Sequence, residues 1–393
     1  MHIFFVTLDK LLRLGKKINE FILFYSRLFV TLHRKEYKNM KQRIRIKDIA
    51  LKAGVSAGTV DRVLHNRPGV SAKARKLIEQ ALSETNYKPN AYASALAQNR
   101  VYTFVMVLPR HSEETYWDEI EEGAQRAVEA RHDFGIDVKR LYYTRFDNAS
   151  FAECSRECLA LNPDGVVVAP STLNNTRMLA DGLHENDIPF VVLDSYMPDL
   201  RPLSFYGQDP VQSGHFAARM LMLLATGETE IMLFKQTKDG QVTSKQQANR
   251  EVGFRHYMGE HFPAVKIVEL DVPYEASKRE TEKLIDAFFE QHKGIHNGIA
   301  FNSKAHIVGD YLLRRNKREV QIMGYYMVPK NEFCLRQGSI SFLIAQHSFM
   351  QGYNSVDALF RAVVLKKKVE PVNYMPIELL TRENVDFYRR TQL

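Results

Sequence analysis

Cysteine is scarce in this chain. Its 393 residues include only three, Cys154, Cys158 and Cys334, which form no disulfide framework. Cys154 and Cys158 stand four apart on an expected helix, yet no cluster of His or Cys completes a metal site. Buried small side chains in a reducing cytoplasm are the reading that follows. Long hydrophobic runs are also missing. FILFYSRLFVTL, residues 21–32, is broken by Arg27 and followed by no small-residue cleavage site, which argues against a membrane span or a secretory signal. Tryptophan occurs once. There is no Walker loop or HExxH pair, and the thirteen histidines fall mostly on helices or loops with no partner at catalytic spacing. These absences argue against an enzyme and call for no cofactor or metal.

What is present is unevenly distributed. Between Met40 and Arg100 the chain carries twelve Lys and Arg against four Asp and Glu, while residues 101–393 hold 34 against 39. A basic head on a mildly acidic body suits phosphate neutralisation by one module only. Within the head, Ile46, Ile49, Ala50 and Ala53 fall at helical spacing, the pattern stops at Gly54, and it restarts behind Ser56 with Val60, Val63 and Leu64. That is a helix, a tight turn and a second helix. Gly54 supplies the unhindered backbone of the turn, Val55 fills the angle, and Ser56 caps the second helix. Ala57, Gly58, Asp61, Arg62 and His65 then face outward. Small residues beside one arginine let a helix lie close in a major groove, where arginine pairs with a guanine edge.

Ser71 caps a third helix whose Ala74, Leu77, Ile78, Ala81 and Leu82 pack back on the first two. After Pro89, Asn90 caps a short helix over 91–98, marginal alone because nucleation outweighs so few hydrogen bonds. From Thr103 the period changes. Apolar runs at 104–108, 165–169, 190–193, 231–234, 298–301 and 321–324 alternate with helical stretches at 117–131, 211–225, 247–261 and 278–291. Such alternation predicts parallel sheets covered on both faces, divided between two lobes.

Ile46-Lys47-Asp48-Ile49-Ala50, Ala53-Gly54-Val55-Ser56, Thr59-Val60-Asp61-Arg62-Val63-Leu64, Val70-Ser71 and Asn86-Tyr87-Lys88-Pro89-Asn90, with Ala93 and Leu96 beyond, resemble the headpiece of the lac repressor (LacI/GalR) family. The family often has serine where Asp61 stands, and arginine is common where Ser94 stands. The resemblance implies an all-α helix-turn-helix headpiece over 40–88, a hinge helix over 89–100, and a two-lobed α/β domain of the type I periplasmic-binding-protein fold over 101–393. The first lobe is expected at about 101–206 with a return near 345–370, and the second at 207–344 plus the tail. Residues 1–39 match nothing in the family, so translation is expected to start at Met40, with a dispensable extension as the other reading. The DNA-facing set implied is Ile46, Ser56, Ala57, Gly58, Thr59, Asp61, Arg62, His65, Ser71, Asn90 and Leu96. Leu96 matches the side chain that relatives wedge between base steps, the other reading being an ordinary leucine packed in a dimer.

For the cleft, the resemblance implies Asp194, Arg250, Asn302 and Gln346 as ligand contacts, with loop capping or inter-lobe hydrogen bonding as the other role for each. Tyr116 and Trp117 can stack on an apolar sugar face; packing is equally open for Trp117. Relatives often show Gly-x-Asp where this chain has Gly324-Tyr325-Tyr326, so a phenol replaces a carboxylate. That departure leans toward an acidic ligand on Arg250, and equally admits a cleft that uses Tyr326 for stacking. The function implied is a cytoplasmic, homodimeric regulator that binds a palindromic double-stranded operator. Its control would come from a small effector: a sugar, uronic acid or sugar phosphate. A sugar-delivering solute-binding protein is the alternative, but it leaves the headpiece without purpose.

Overall fold

The computed structural model describes residues 44–390 apart from residues 65, 86, 88–90, 98–99, 239, 241 and 243. The expected start at Met40 and the candidates His65 and Asn90 lie outside the described residues. The chain divides between residues 90 and 91 into a small helical unit and a large α/β unit.

In the small unit, α1 (Ile46–Ala53), α2 (Ala57–Leu64) and α3 (Ala72–Thr85) surround a core of Ile49, Ala50, Ala53, Val60, Val63, Ile78 and Ala81. Asp48 accepts from the Arg45 amide at 2.8 Å, closing the start of α1. Gly54 ends that helix with φ 64°, and Val55 N donates to Ala50 O at 3.0 Å, the left-handed stop that glycine adopts without steric cost. Leu77 differs from expectation. It is 43% exposed, because the α3 stripe that meets α1 runs through Ile78 and Ala81, and the position before Ile78 lies about 100° off it.

The large unit opens with α4 (Ala91–Ala97) and then builds two six-stranded sheets. The first contains β1 (Tyr102–Pro109), β2 (Ile136–Tyr143), β3 (Gly165–Val168), β4 (Phe190–Leu193), β5 (Ser204–Gly207) and β11 (Val372–Tyr374), in the order β11-β5-β4-β3-β1-β2, all parallel. The second contains β6 (Glu230–Thr237), β7 (Lys266–Pro273), β8 (Asn297–Ala300), β9 (Gln321–Tyr325), β10 (Ile340–Ala345) and β12 (Glu378–Leu380), in the order β12-β10-β9-β8-β6-β7. Only β12 is antiparallel. The inner strands read as unbroken apolar runs because helices cover both faces: α5 (Tyr116–Glu129), α6 (Asn148–Ala160), α7 (Leu173–Glu185) and α13 (Ser348–Leu359) on the first sheet, α8 (Pro210–Leu224), α9 (Lys245–His261), α10 (Lys278–Gln291), α11 (Ala305–Arg314) and α12 (Pro329–Gln337) on the second. A last helix, α14 (Val385–Arg390), packs Val385 and Tyr388 into the second lobe.

The chain passes between lobes three times, after β5, after β10 and after β11. The tail expected wholly in the second lobe therefore first gives β11 to the first, a three-residue strand too short to carry an apolar period. In the second lobe α8 and α9 cross closely. A side chain at Gly214 would lie 2.0 Å from Arg250 O, and one at Gly253 2.0 Å from Val211 O.

Candidate functional site

In the small unit, Ser56 Oγ accepts from Thr59 N at 3.1 Å, as expected of a cap. Ala57 and Thr59 are half-buried and Gly58 exposed, so the start of α2 presents little bulk. Ser71 Oγ accepts from Ala74 N at 3.3 Å at the start of α3, and Ile46 packs at the core margin. Arg62 is exposed and donates from Nη1 to Pro68 O at 3.0 Å, which holds the guanidinium tip of its side chain. Asp61 lies 3.4 Å from Arg67 Nη1. A cation thus accompanies the acid that stands out on this face.

In α4, Ala95 is buried in the first-lobe core. The Tyr92 ring packs 5.9 Å from Phe134 and 6.2 Å from Phe360, with Lys367 Nζ 4.9 Å over its face. These contacts supply burial that a helix of two turns lacks by itself. Leu96 remains 47% exposed.

Five of the seven expected cleft residues meet at the carboxyl ends of the strands. Asp194 follows β4 and Tyr326 follows β9, both with positive φ, 63° and 68°, a strained backbone for non-glycine residues that is concentrated at functional sites. The Tyr116 hydroxyl lies 3.0 Å from Asp194 Oδ1 and 3.1 Å from Gln351 Oε1; with one proton it donates to one of them at a time. Its ring meets Tyr326 edge-on at 4.9 Å. Burial first, then Asp194, holds the Tyr116 pKa well above the ordinary phenol value. Burial also raises Tyr326, against the pull of Arg250. Both phenols stay protonated at neutral pH.

Arg250 is fully buried. Nη1 donates to Phe301 O at 2.7 Å and to the Tyr326 oxygen at 3.1 Å, and Nη2 donates to Gln346 Oε1 at 2.7 Å. Its guanidinium carbon lies 4.3 Å from the Tyr325 ring centre and 5.0 Å from that of Tyr326. Nε has no partner among the described residues. Gln346 Nε2 in turn donates to Gln208 Oε1 at 2.6 Å, and Gln208 Nε2 donates to Ala345 O at 2.8 Å and Pro376 O at 2.6 Å. Gln208, Gln346 and Pro376 stand one on each inter-lobe crossing. The cleft arginine is thereby tied to all three connections.

Among the described residues Asn302 and Trp117 make no side-chain hydrogen bond to this network, and the Trp117 ring meets that of Tyr116 edge-on at 4.8 Å. Asn302 Oδ1 accepts from Lys304 N at 2.9 Å, the loop-capping role. Trp117 is buried in the first-lobe core, the packing role, with the Arg145 guanidinium 5.9 Å from its ring centre. Sequence reasoning missed Gln246, whose Nε2 donates to Asp194 O across the lobes, as well as Gln351 and Gln208. Gln246 stands one helical turn before Arg250 and Gln351 five residues after Gln346, so spacing from the expected residues was the available signal.

A helix-turn-helix unit joined to a two-lobed binding fold invites comparison with known proteins. The lacI family of bacterial regulatory proteins matches residues 45–90, and a periplasmic binding protein domain matches residues 104–368. A LacI transcriptional regulator from Bacteroides fragilis, known by crystal structure, is 42% identical with a TM-score of 0.71, covering 74% of this chain and 100% of that one. The chain belongs to the lacI family. This regulator is also 29% identical over 246 residues to the HTH-type transcriptional regulator DegA of Bacillus subtilis, a match spanning 61% of this chain and 69% of DegA. The sugar-binding protein of a Bacillus halodurans sugar ABC transporter shares its two-lobed fold at 21% identity, TM-score 0.63, over 73% of this chain and 99% of that one. Among the described residues no helix is long and apolar enough to cross a membrane.

Proposed function

We propose that this lacI-family regulator binds a near-palindromic operator as a homodimer inside the cell, and that a sugar or sugar acid held between its lobes changes its DNA affinity. The observation that carries the reading is the hydrogen-bonded path from the cleft to the crossings, Arg250 to Gln346 to Gln208 to the Ala345 and Pro376 carbonyls. A ligand that bonds to Arg250 or Gln346 competes with this path and shifts the angle between the lobes. The first lobe carries α4, so lobe rotation moves the two hinge helices of a dimer together or apart. Either sign of response needs only a different preferred lobe geometry.

On the DNA side, the start of α2 enters the major groove with Ala57, Gly58 and Thr59 nearest the bases and Arg62 reading a guanine edge. Ile46, Ser56, Asp61 and Ser71 line the backbone approach, His65 and Asn90 are assigned to DNA contact by the family pattern alone, and Leu96 wedges into the minor groove. In the cleft, Asp194 accepts from a ligand hydroxyl in place of Tyr116, and Tyr116 and Tyr326 pack on its apolar face; Asn302 and Trp117 shape the rim. A gel shift with DNA from upstream of the protein's own gene, across a salt series, tests the reading. Specific retardation that weakens steeply with salt supports it; retardation of all duplexes alike removes it.

A further inference from the structure

Three cations stand just beyond strands whose carboxyl ends open on the cleft. Arg145 follows β2 in the first lobe, Lys304 follows β8 in the second, and Lys330 lies in the first turn of α12. Arg145 stacks over Trp117 and its charge reaches Tyr326. Lys304 is half-buried. Burial first, then Lys330 and Arg145, lowers its pKa, and no carboxylate contributes.

Among the described residues none of the three enters an ion pair. The acids nearest in sequence are engaged elsewhere. Asp147 caps α6 through the Ala149 and Ser150 amides, Glu332 pairs with Arg336, and Asp310 pairs with Arg314. Arg145 and Lys330 are exposed and Lys304 is half-buried, and like charges set near one another without a counter-ion raise the energy of the folded chain until an anion joins them.

We propose that Arg145, Lys304 and Lys330 form an anion site across the cleft mouth, and that the effector carries a carboxylate or phosphate group that fills it. The inference rests on the effector reading above and narrows it from sugars in general to sugar acids and sugar phosphates. The Arg145 guanidinium lies 5.9 Å from the Trp117 ring centre and has two donors to offer such a group, while the lysines supply point charges from the facing lobe. Because the cations come from both lobes, the anion draws the lobes together. A neutral sugar in the same cleft lacks that contribution.

The test is thermal unfolding of the full chain at ionic strength held constant with chloride. Probes are inorganic phosphate, three neutral hexoses (glucose, galactose, mannose), their uronates and their 6-phosphates. Inorganic phosphate needs no sugar recognition, so it is expected to raise the melting temperature saturably. Uronates or 6-phosphates are expected to act at concentrations at least tenfold lower than their neutral parents, and whichever of the two acts identifies the source of the anion. Lys304→Met is expected to weaken these effects tenfold or more, and Lys293→Met, before β8 at the opposite end of the sheet, to leave them in place. Phosphate and acids that stabilise neither protein, or that stabilise wild type and Lys304→Met equally, overturn the anion site. If neutral hexoses still shift the melting temperature in that case, the effector reading survives alone. If phosphate acts through Lys304 while no sugar derivative acts at all, the anion site stands and the sugar reading falls.

Discussion

Replacing Arg250 by methionine removes the group on which the cleft network converges. Methionine keeps part of the buried volume but strips Gln346 Oε1 and Phe301 O of donors that now stand at 2.7 Å. Each acceptor left unpaired costs roughly 1–3 kcal/mol. Removing a fully buried charge returns part of that loss, since its desolvation no longer has to be offset. The net expectation is a loss of roughly 2–4 kcal/mol. With unfolding entropy near 2.1 cal/mol/K per residue over a unit of about 300 residues, that lowers the melting temperature by roughly 3–6 °C. Differential scanning calorimetry reads the shift, and a gel shift with and without effector reads the coupling, which is expected to vanish. Arg250→Lys retains charge but lacks the planar fork, so it cannot serve both acceptors from above the Tyr325 ring; an intermediate loss of stability and a lost effector response are expected. A methionine variant that melts within 1 °C of wild type and still responds would refute the reasoning.

Gln208→Leu cuts the path at the crossings while sparing direct cleft contacts. Effector binding by calorimetry is expected to persist, with its effect on DNA affinity reduced severalfold; full coupling would remove Gln208 from the path. Gly214→Ala drives a methyl group against Arg250 O, and overpacking of this kind costs roughly 1–3 kcal/mol, measurable by urea unfolding. Asp61→Ala releases Arg67 from its partner and removes an acid from the DNA face. Affinity for all duplexes is expected to rise and the salt slope to steepen by about one unit. His306 is held below its ordinary pKa by burial, with Lys304 and Lys330 adding to the effect against Asn331 and Asp310. The folded state therefore binds this proton less readily than the unfolded chain. The corresponding stability is full above pH ~6.5 and declines as pH falls through that value toward the lower folded pKa. His306→Gln is expected to flatten the decline in a pH series of melting temperatures.

Much of this architecture was legible because the inner strands are buried on both faces. GVVV at 165–168 and FVVL at 190–193 have no polar position to interrupt them. The inner strands β5 (SFYG) and β10 (ISFLIA) were missed because serine or glycine interrupts the apolar run, and the four edge strands escaped notice for the converse reason. β2 reads IDVKRLYY and β7 reads KIVELDVP, with polar side chains turned to solvent on alternate positions, while β11 and β12 have three residues each. In the cleft, Asp194, Arg250 and Gln346 were recognisable from their places at element ends, whereas Gln246 and Gln208 act through contacts between segments far apart in sequence. The proposed cation group was hidden similarly, since Arg145, Lys304 and Lys330 look like solvated charges until the strands that precede them are placed around one cleft.

The most direct test of the whole account is the operator dissociation constant of the full chain at fixed salt, measured with and without the sugar acid or sugar phosphate that stabilises the protein. A specific duplex is expected to bind at least a thousandfold more tightly than random sequence, and the ligand to change that affinity at least fivefold. Equal affinity for every duplex, or an operator affinity indifferent to a ligand that binds the cleft, would contradict it.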